Sequence, residues 1–186
     1  MRIISGEFRG RELKTTAGPG YRPAMSKVRA AIFSMLEARG VDWPNARVLD
    51  LFAGSGSLGL EALSRGAPFA CFVEADKKAA ALITENARKF GLAETRYRVR
   101  HTEARAFLAE RNMEPFDVVF IDPPYRGNFL SASITGMLRK DWLKPGGILN
   151  AEIEKEMRLD VDADFPPLTC IADRTYGQTR VVLWSL

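Results

Sequence analysis

Only two cysteines and one histidine occur among the 186 residues. Cys71 and Cys170 stand in separate apolar runs without CxxC spacing, so a disulfide framework is not expected, and both read as buried free thiols in a reducing compartment. His101 has no Cys or His near it, which argues for a structural residue over a metal ligand, and no metal site is expected. No stretch reaches the roughly 18 apolar residues of a membrane helix. The start, Met1-Arg2-Ile3-Ile4-Ser5-Gly6, is interrupted too soon to act as a secretory leader. Internal repeats, low-complexity tracts and linkers are lacking as well. What remains is a chain long enough to bury one core without covalent staples, expected in the cytoplasm, away from membranes and as a monomer.

Acidic residues are scarce at one end. Residues 1–30 carry Arg2, Arg9, Arg11, Lys14, Arg22, Lys27 and Arg29 against Glu7 and Glu12, so the net charge of +4 lies wholly in this first sixth. Basic side chains gathered on one segment suit a polyanion, because phosphate contacts supply most non-specific nucleic-acid affinity. From charge alone, a solvated basic face is the alternative.

The hydrophobic pattern predicts an α/β fold. Residues 2–16 read as a small β-hairpin turning through Gly6 to Gly10, and Ser26 is placed to cap a helix over about 27–39. From residue 46, short apolar strands alternate with helices: ARVLDLF, SLGLEALSRG, PFACFVEA, a helix capped by Asp76, RYRVRH, a helix over 103–111, FDVVFID, a helix over 128–142, and GGILNAEI. That alternation predicts a Rossmann-like, doubly wound, mostly parallel sheet. The last two runs, PLTCIADRTYG and QTRVVLWSL, predict an antiparallel hairpin that brings the sheet to seven strands. The division expected is a basic hairpin and helix over 1–40 and a core over 41–186.

Two turns carry chemistry. The strand ending Asp50-Leu51-Phe52 runs into Ala53-Gly54-Ser55-Gly56, where glycines let a ligand approach the backbone and the next helix presents free N–H groups. Asp50 would repel a pyrophosphate but suits an ammonium group, such as that of S-adenosylmethionine. Glu74, at the end of the following strand, is placed to accept from ribose hydroxyls. Both acids could instead cap neighbouring helices. Glu103 follows the third strand, where an acid can read an adenine amine or simply favour a helix N-terminus. The second turn is Asp122-Pro123-Pro124-Tyr125. Consecutive prolines fix φ and remove two N–H donors, leaving a stiff turn of acceptors. An exocyclic base amine is a poor nucleophile, and an Asp122 carboxylate with the Pro123 carbonyl can hold its hydrogens and favour positive charge on it. Tyr125 offers a face for stacking the base, and Phe129 is a further candidate for its pocket.

These residues resemble the Class I methyltransferases that act on amino groups. Across almost the whole chain, the sequence is similar to the RsmD-type family of 16S ribosomal RNA guanine-N2 methyltransferases. The likeness rests on SGEFRGRELKT, RPAMSKVRAAIFSML, DLFAGSGSLGLEALSRGA, FDVVFIDPPY and YGQTRVVLW. It implies that Asp50, Gly54, Gly56 and Glu74 contact S-adenosylmethionine, with Phe52 and Glu103 as further candidates, that Arg22 and Pro23 close its pocket, and that Asp122 to Tyr125 form the catalytic turn. It also implies that the hairpin, with Arg2, Arg9, Arg11 and Lys14, meets small-subunit ribosomal RNA, free or in an assembled subunit, and the charge clustering adds Arg29 as a candidate. Ala24, Ser26, Ala30 and Glu103 depart from the family's usual Thr, acid, Glu and Asp.

Three other methyl acceptors fit less well. A protein-glutamine methyltransferase typically has Asn in place of Asp122, a DNA amino-methyltransferase needs a target-recognition domain, and carbon-5 chemistry needs a cysteine beside the base. A non-catalytic RNA-binding assembly factor on the same fold is the reading from a different class.

Overall fold

Alternating strands and helices wind out from the middle of the sheet in both directions. The computed structural model describes residues 1–15, 22–110, 114–124, 128–160 and 163–186, with the backbone alone for 22–25. Strands β1 (Arg47–Leu51), β2 (Phe69–Glu74) and β3 (Tyr97–His101) alternate with α2 (Ser57–Ser64) and α3 (Lys77–Lys89). Helix α4 (Ala104–Ala109) leads to β4 (Phe116–Ile121), and α5 (Phe129–Arg139) to β5 (Leu143–Glu154). Strands β6 (Thr169–Tyr176) and β7 (Thr179–Ser185) close the chain. The sheet order is β3-β2-β1-β4-β5-β7-β6. β1 to β5 are parallel, and β7 pairs antiparallel with both β5 and β6. The seven-stranded, mostly parallel sheet with its antiparallel hairpin is therefore as the sequence predicts.

Side-chain alternation divides the core. Val48, Ala70, Phe72, Val118 and Phe120 face α2, α3 and α1 (Arg22–Glu37), where Ile32, Phe33 and Leu36 are buried. Leu49, Leu51, Val73, Val119 and Ile121 face α4 and α5. β1 is buried on both faces, which explains its near-continuous apolar run around one acid, Asp50. Among the described residues, no helix is long and apolar enough to cross a membrane.

Three details differ from expectation. α1 begins at Arg22, so Ser26 lies inside the helix and does not cap it. Pro23 in the first turn explains the early start, because the N–H it lacks would have no partner there. The N-terminal hairpin is short, with the antiparallel bridge Arg2 to Glu12 and the N–H groups of Ile3, Gly10 and Leu13 donating to the carbonyls of Arg11, Ile3 and Met1 at 3.0, 2.9 and 2.8 Å. The backbone N–H groups of Ile4 and Ser5 donate to the Glu61 carboxylate at 2.8 and 3.0 Å, and that of Phe8 donates to Ser64 Oγ at 2.9 Å. Side chains of α2 thus tie the ribbon's outer edge to the core, which matters because a two-stranded ribbon has little stability of its own. Finally, β5 starts at Leu143 and shifts register against β4 between Phe116 and Val118.

Candidate active site

β2 and β4 flank β1, and the connections leave in opposite directions from there. Open α/β sheets bind ligands at such a switch point, beyond the carboxyl ends of the strands. A cleft of about 1390 Å³ lies there. Its walls come from Phe52 after β1, Glu74 and Ala75 at the end of β2, Thr102 to Arg105 after β3, Asp122 to Pro124 after β4, the end of β5, and the Tyr176–Thr179 turn.

The glycine turn is tied to its neighbours by the two predicted acids. Gly59 N–H donates to Asp50 Oδ2 at 2.9 Å, and Gly54 N–H donates to Glu74 Oε2 at 2.7 Å. The other oxygen of Glu74 accepts from Asp76 N–H at 2.8 Å. Gly59 carries α2 directly over β2, since a Cβ there would sit 2.3 Å from the Phe72 ring. Gly54 is left-handed (φ +54°) with open space where a side chain would project, so its backbone is accessible. Phe52 holds φ +62°, an uncommon conformation for a bulky residue that recurs at functional sites. It turns its ring edge-on to Phe129 at 6.0 Å. Phe129 is 44% exposed and lines the cleft.

Asp50 and Glu74 part company. Glu74 lines the cleft, whereas Asp50 is only 2% exposed and anchors α2 beneath it. Burial pushes Asp50 well above the usual carboxylate range, the Gly59 N–H opposes this, and the charges of Asp122 and Glu74 add to it. Glu103 lines the cleft and its side chain makes no cap to α4. Gly56 caps α2 with its backbone and is absent from the cleft wall. Tyr125 lies outside the described residues, as do the side chains of Arg22 and Pro23.

Strand register builds the reactive corner. Asp50, Phe120 and Asn150 lie level across β1, β4 and β5, and Ile121 pairs with Ala151. Asp122 and Glu152 therefore follow side by side on the face that carries Phe120. Burial raises the Asp122 carboxyl to about 6. Glu152 is raised well above its ordinary value by burial first and then by Asp122 and Asp50, with Arg29 opposing. The sequence reading did not single out Glu152. The available signal was the alternation of Asn150, Glu152 and Glu154 with Leu149, Ala151 and Ile153, which marks one polar face on a central strand. The Tyr176–Thr179 turn also reaches the cleft, a placement only the β6–β7 pairing supplies.

The basic residues divide by burial. Arg2 and Arg9 are exposed. Arg11 lays its guanidinium over the Phe8 and Phe90 rings at 5.3 and 5.9 Å, and Lys14 pairs with Glu85. Arg29 corrects the expectation of an RNA contact, being 3% exposed. Its guanidinium donates to the Arg2 carbonyl, and its Nε lies 3.8 Å from the fully buried Glu61. Helical spacing puts it on the inner face of α1 with Val28, Ile32 and Phe33, a position that a count of charges does not reveal. Both cysteines are free, Cys71 buried and Cys170 half-buried. No group of three or more His, Cys, Asp or Glu among the described residues could hold a metal ion.

The sheet order, with a glycine turn and an acidic double-proline turn at its switch point, defines the chain as a Rossmann-like methyltransferase. A family model described as "Conserved hypothetical protein 95" matches residues 1–185. The Ribosomal RNA small subunit methyltransferase D of Escherichia coli (strain K12) is 38% identical over 156 residues, 84% of this chain and 76% of that protein. Its namesake in Haemophilus influenzae is 34% identical over 95% of this chain and 89% of its own length. Among solved structures, a hypothetical protein of Thermus thermophilus superposes with a TM-score of 0.81 at 33% identity, covering 100% of this chain and 99% of that one. The chain belongs to the matched family, the RsmD-type methyltransferases.

Proposed function

We propose that this protein methylates the exocyclic N2 amine of a guanine in small-subunit ribosomal RNA, with S-adenosylmethionine as methyl donor. The observation that carries the reading is the meeting of Asp122, Pro123 and Pro124 with Glu74 and Phe52 in one cleft at the switch point. The residues present fit the donor. Glu74 retains lone pairs for ribose hydroxyls beside the open Gly54 backbone, and Glu103 and Ala104 border the same wall. Asp50 acts beneath the site by fixing α2 and the glycine turn. When bound, the donor supplies an electrophilic methyl on a sulfonium.

The chain's own groups hold the amine. Asp122 and the Pro123 carbonyl accept its two hydrogens and orient the nitrogen lone pair towards the methyl. As the C–N bond forms and the C–S bond breaks, positive charge grows on N2 beside a carboxylate, which stabilises it. The proton then released passes to Asp122. Tyr125 is assigned to stacking the base, and Arg22 and Pro23 to closing the donor's side. Residues 1–40 are assigned to the RNA through Arg2 and Arg9, with Arg11 and Lys14 at its edge, and 41–186 to the methyltransferase core. On this reading the protein works in the cytoplasm, where it meets free RNA or assembled subunits.

The test is methyl transfer from labelled donor to small-subunit RNA and particles from cells lacking the protein, with mass mapping of the product. One guanine gaining a single N2 methyl supports the proposal. Undiminished transfer by Asp122→Ala would remove the catalytic assignment. RNA binding by a wild-type protein that transfers nothing would favour an assembly factor instead.

A further inference from the structure

Asp122 does not stand alone at the reactive corner. The pairing of Ile121 with Ala151 sets Glu152 next to it on the same face, with strand backbones about 4.8 Å apart. Glu152 lines the cleft and is half-buried, at hydrogen-bonding reach of a ligand there. Arg29, the cation that acts on it, is already engaged by Glu61 and the Arg2 carbonyl. A carboxylate on the cleft wall beside Asp122 and Asp50 gains from a ligand that donates hydrogen bonds to it.

The chemistry of the wall says which ligand. Asp122, Glu152 and the N–H-less Pro123 and Pro124 present acceptors. Guanine's pairing edge carries two neighbouring donors, the ring N1–H and the N2 amine. Adenine sets its amine beside a ring nitrogen with a lone pair, which a carboxylate repels. We propose that Glu152 is the specificity-determining residue of the site, accepting from guanine N1–H while Asp122 and the Pro123 carbonyl hold the N2 amine. This rests on the reading of guanine N2 as methyl acceptor. The discrimination belongs to the ionised carboxylate, which only accepts, and the donating N1–H of a bound guanine favours that form. Glu154 lines the same cleft but lies two residues farther along β5, roughly 6.6 Å towards the mouth.

The experiment uses small-subunit RNA ligated to carry either guanine or 2-aminopurine at the position that the wild-type protein methylates. 2-Aminopurine keeps the amine but has no N1–H. Single-turnover transfer is compared for wild type, Glu152→Ala and Glu152→Gln, with thermal unfolding as a folding control. Wild type should prefer guanine by roughly tenfold to hundredfold, the usual cost of an unmatched buried polar group. Glu152→Ala should bring that ratio close to one, and Glu152→Gln, whose amide can accept from N1–H or donate to a bare N1, should leave it well below the wild-type value. Equal losses on both bases in Glu152→Ala, or an unchanged ratio, overturn the assignment while leaving the proposed function standing. A wild-type protein that methylates no guanine fails at the earlier step, and this assignment falls with it.

Discussion

Asp122→Asn should make the protein more stable while removing its activity, and only above acidic pH. The Asp122 carboxyl is raised from 3.8 to about 6 by burial, so the folded protein binds its proton more tightly than the unfolded chain. Stability from this group is therefore fully present below about pH 4 and is lost as pH rises through about 6. At 1.36 kcal/mol per pH unit, the whole shift corresponds to about 3 kcal/mol, and relaxation around the neighbouring Glu152 reduces it to about 1.5–3 kcal/mol. Asparagine is nearly isosteric and carries no charge to desolvate. For a chain of this length, each kcal/mol moves Tm by about 2–4 °C. The variant should thus melt about 3–12 °C above wild type at pH 8, with the gap closing towards pH 4. Calorimetry of both proteins between pH 4 and pH 8 measures the difference directly, and acid effects common to both cancel. A gap independent of pH, or a variant less stable than wild type at pH 8, would refute the argument that burial of a charged Asp122 is a stored cost.

Other perturbations test separate parts of the structure. Gly59→Ala drives a methyl into the buried Phe72 ring and should destabilise by about 1–2 kcal/mol, overpacking exceeding the gain in helix propensity; an unchanged Tm would show that α2 does not press on β2 as described. Burial raises the Cys71 thiol to about 12, so in the native protein at pH 8 a thiol reagent should modify half-buried Cys170 well before Cys71, and equal rates would contradict that burial. Arg9→Glu should weaken RNA binding and flatten its salt dependence without changing Tm by more than a degree or two, as filter binding across a salt series would show. Arg29→Met should instead act on stability, because it leaves buried Glu61 with one cation fewer; a purely RNA-binding defect would put Arg29 back on the surface.

Local patterns in the sequence were enough to determine the order of elements and the two turns. Period-two and helical hydrophobic runs mark β1 to β7, Asp76 caps α3 as its spacing suggests, and the glycines and double proline announce themselves because their backbone chemistry is local. The early start of α1 was legible in Pro23, though the cap-like Ser26 competed with it. The N-terminal hairpin was legible, but its docking was not, because the partners of the Ile4, Ser5 and Phe8 N–H groups, Glu61 and Ser64, lie more than fifty residues away on α2.

Tertiary structure alone decided which charges meet. Arg29 reads like the other early basic residues, but the face of α1 it occupies turns it inward to Glu61. Asp50 reads as a ligand contact, but β1, buried on both faces, places it under the cleft. Glu152 reads as one more acid on a late strand until the β4–β5 register sets it beside Asp122. The physical reason is common to all three. Secondary structure follows from neighbours along the chain, whereas a side chain's charge state and chemical task follow from what packs against it across strands.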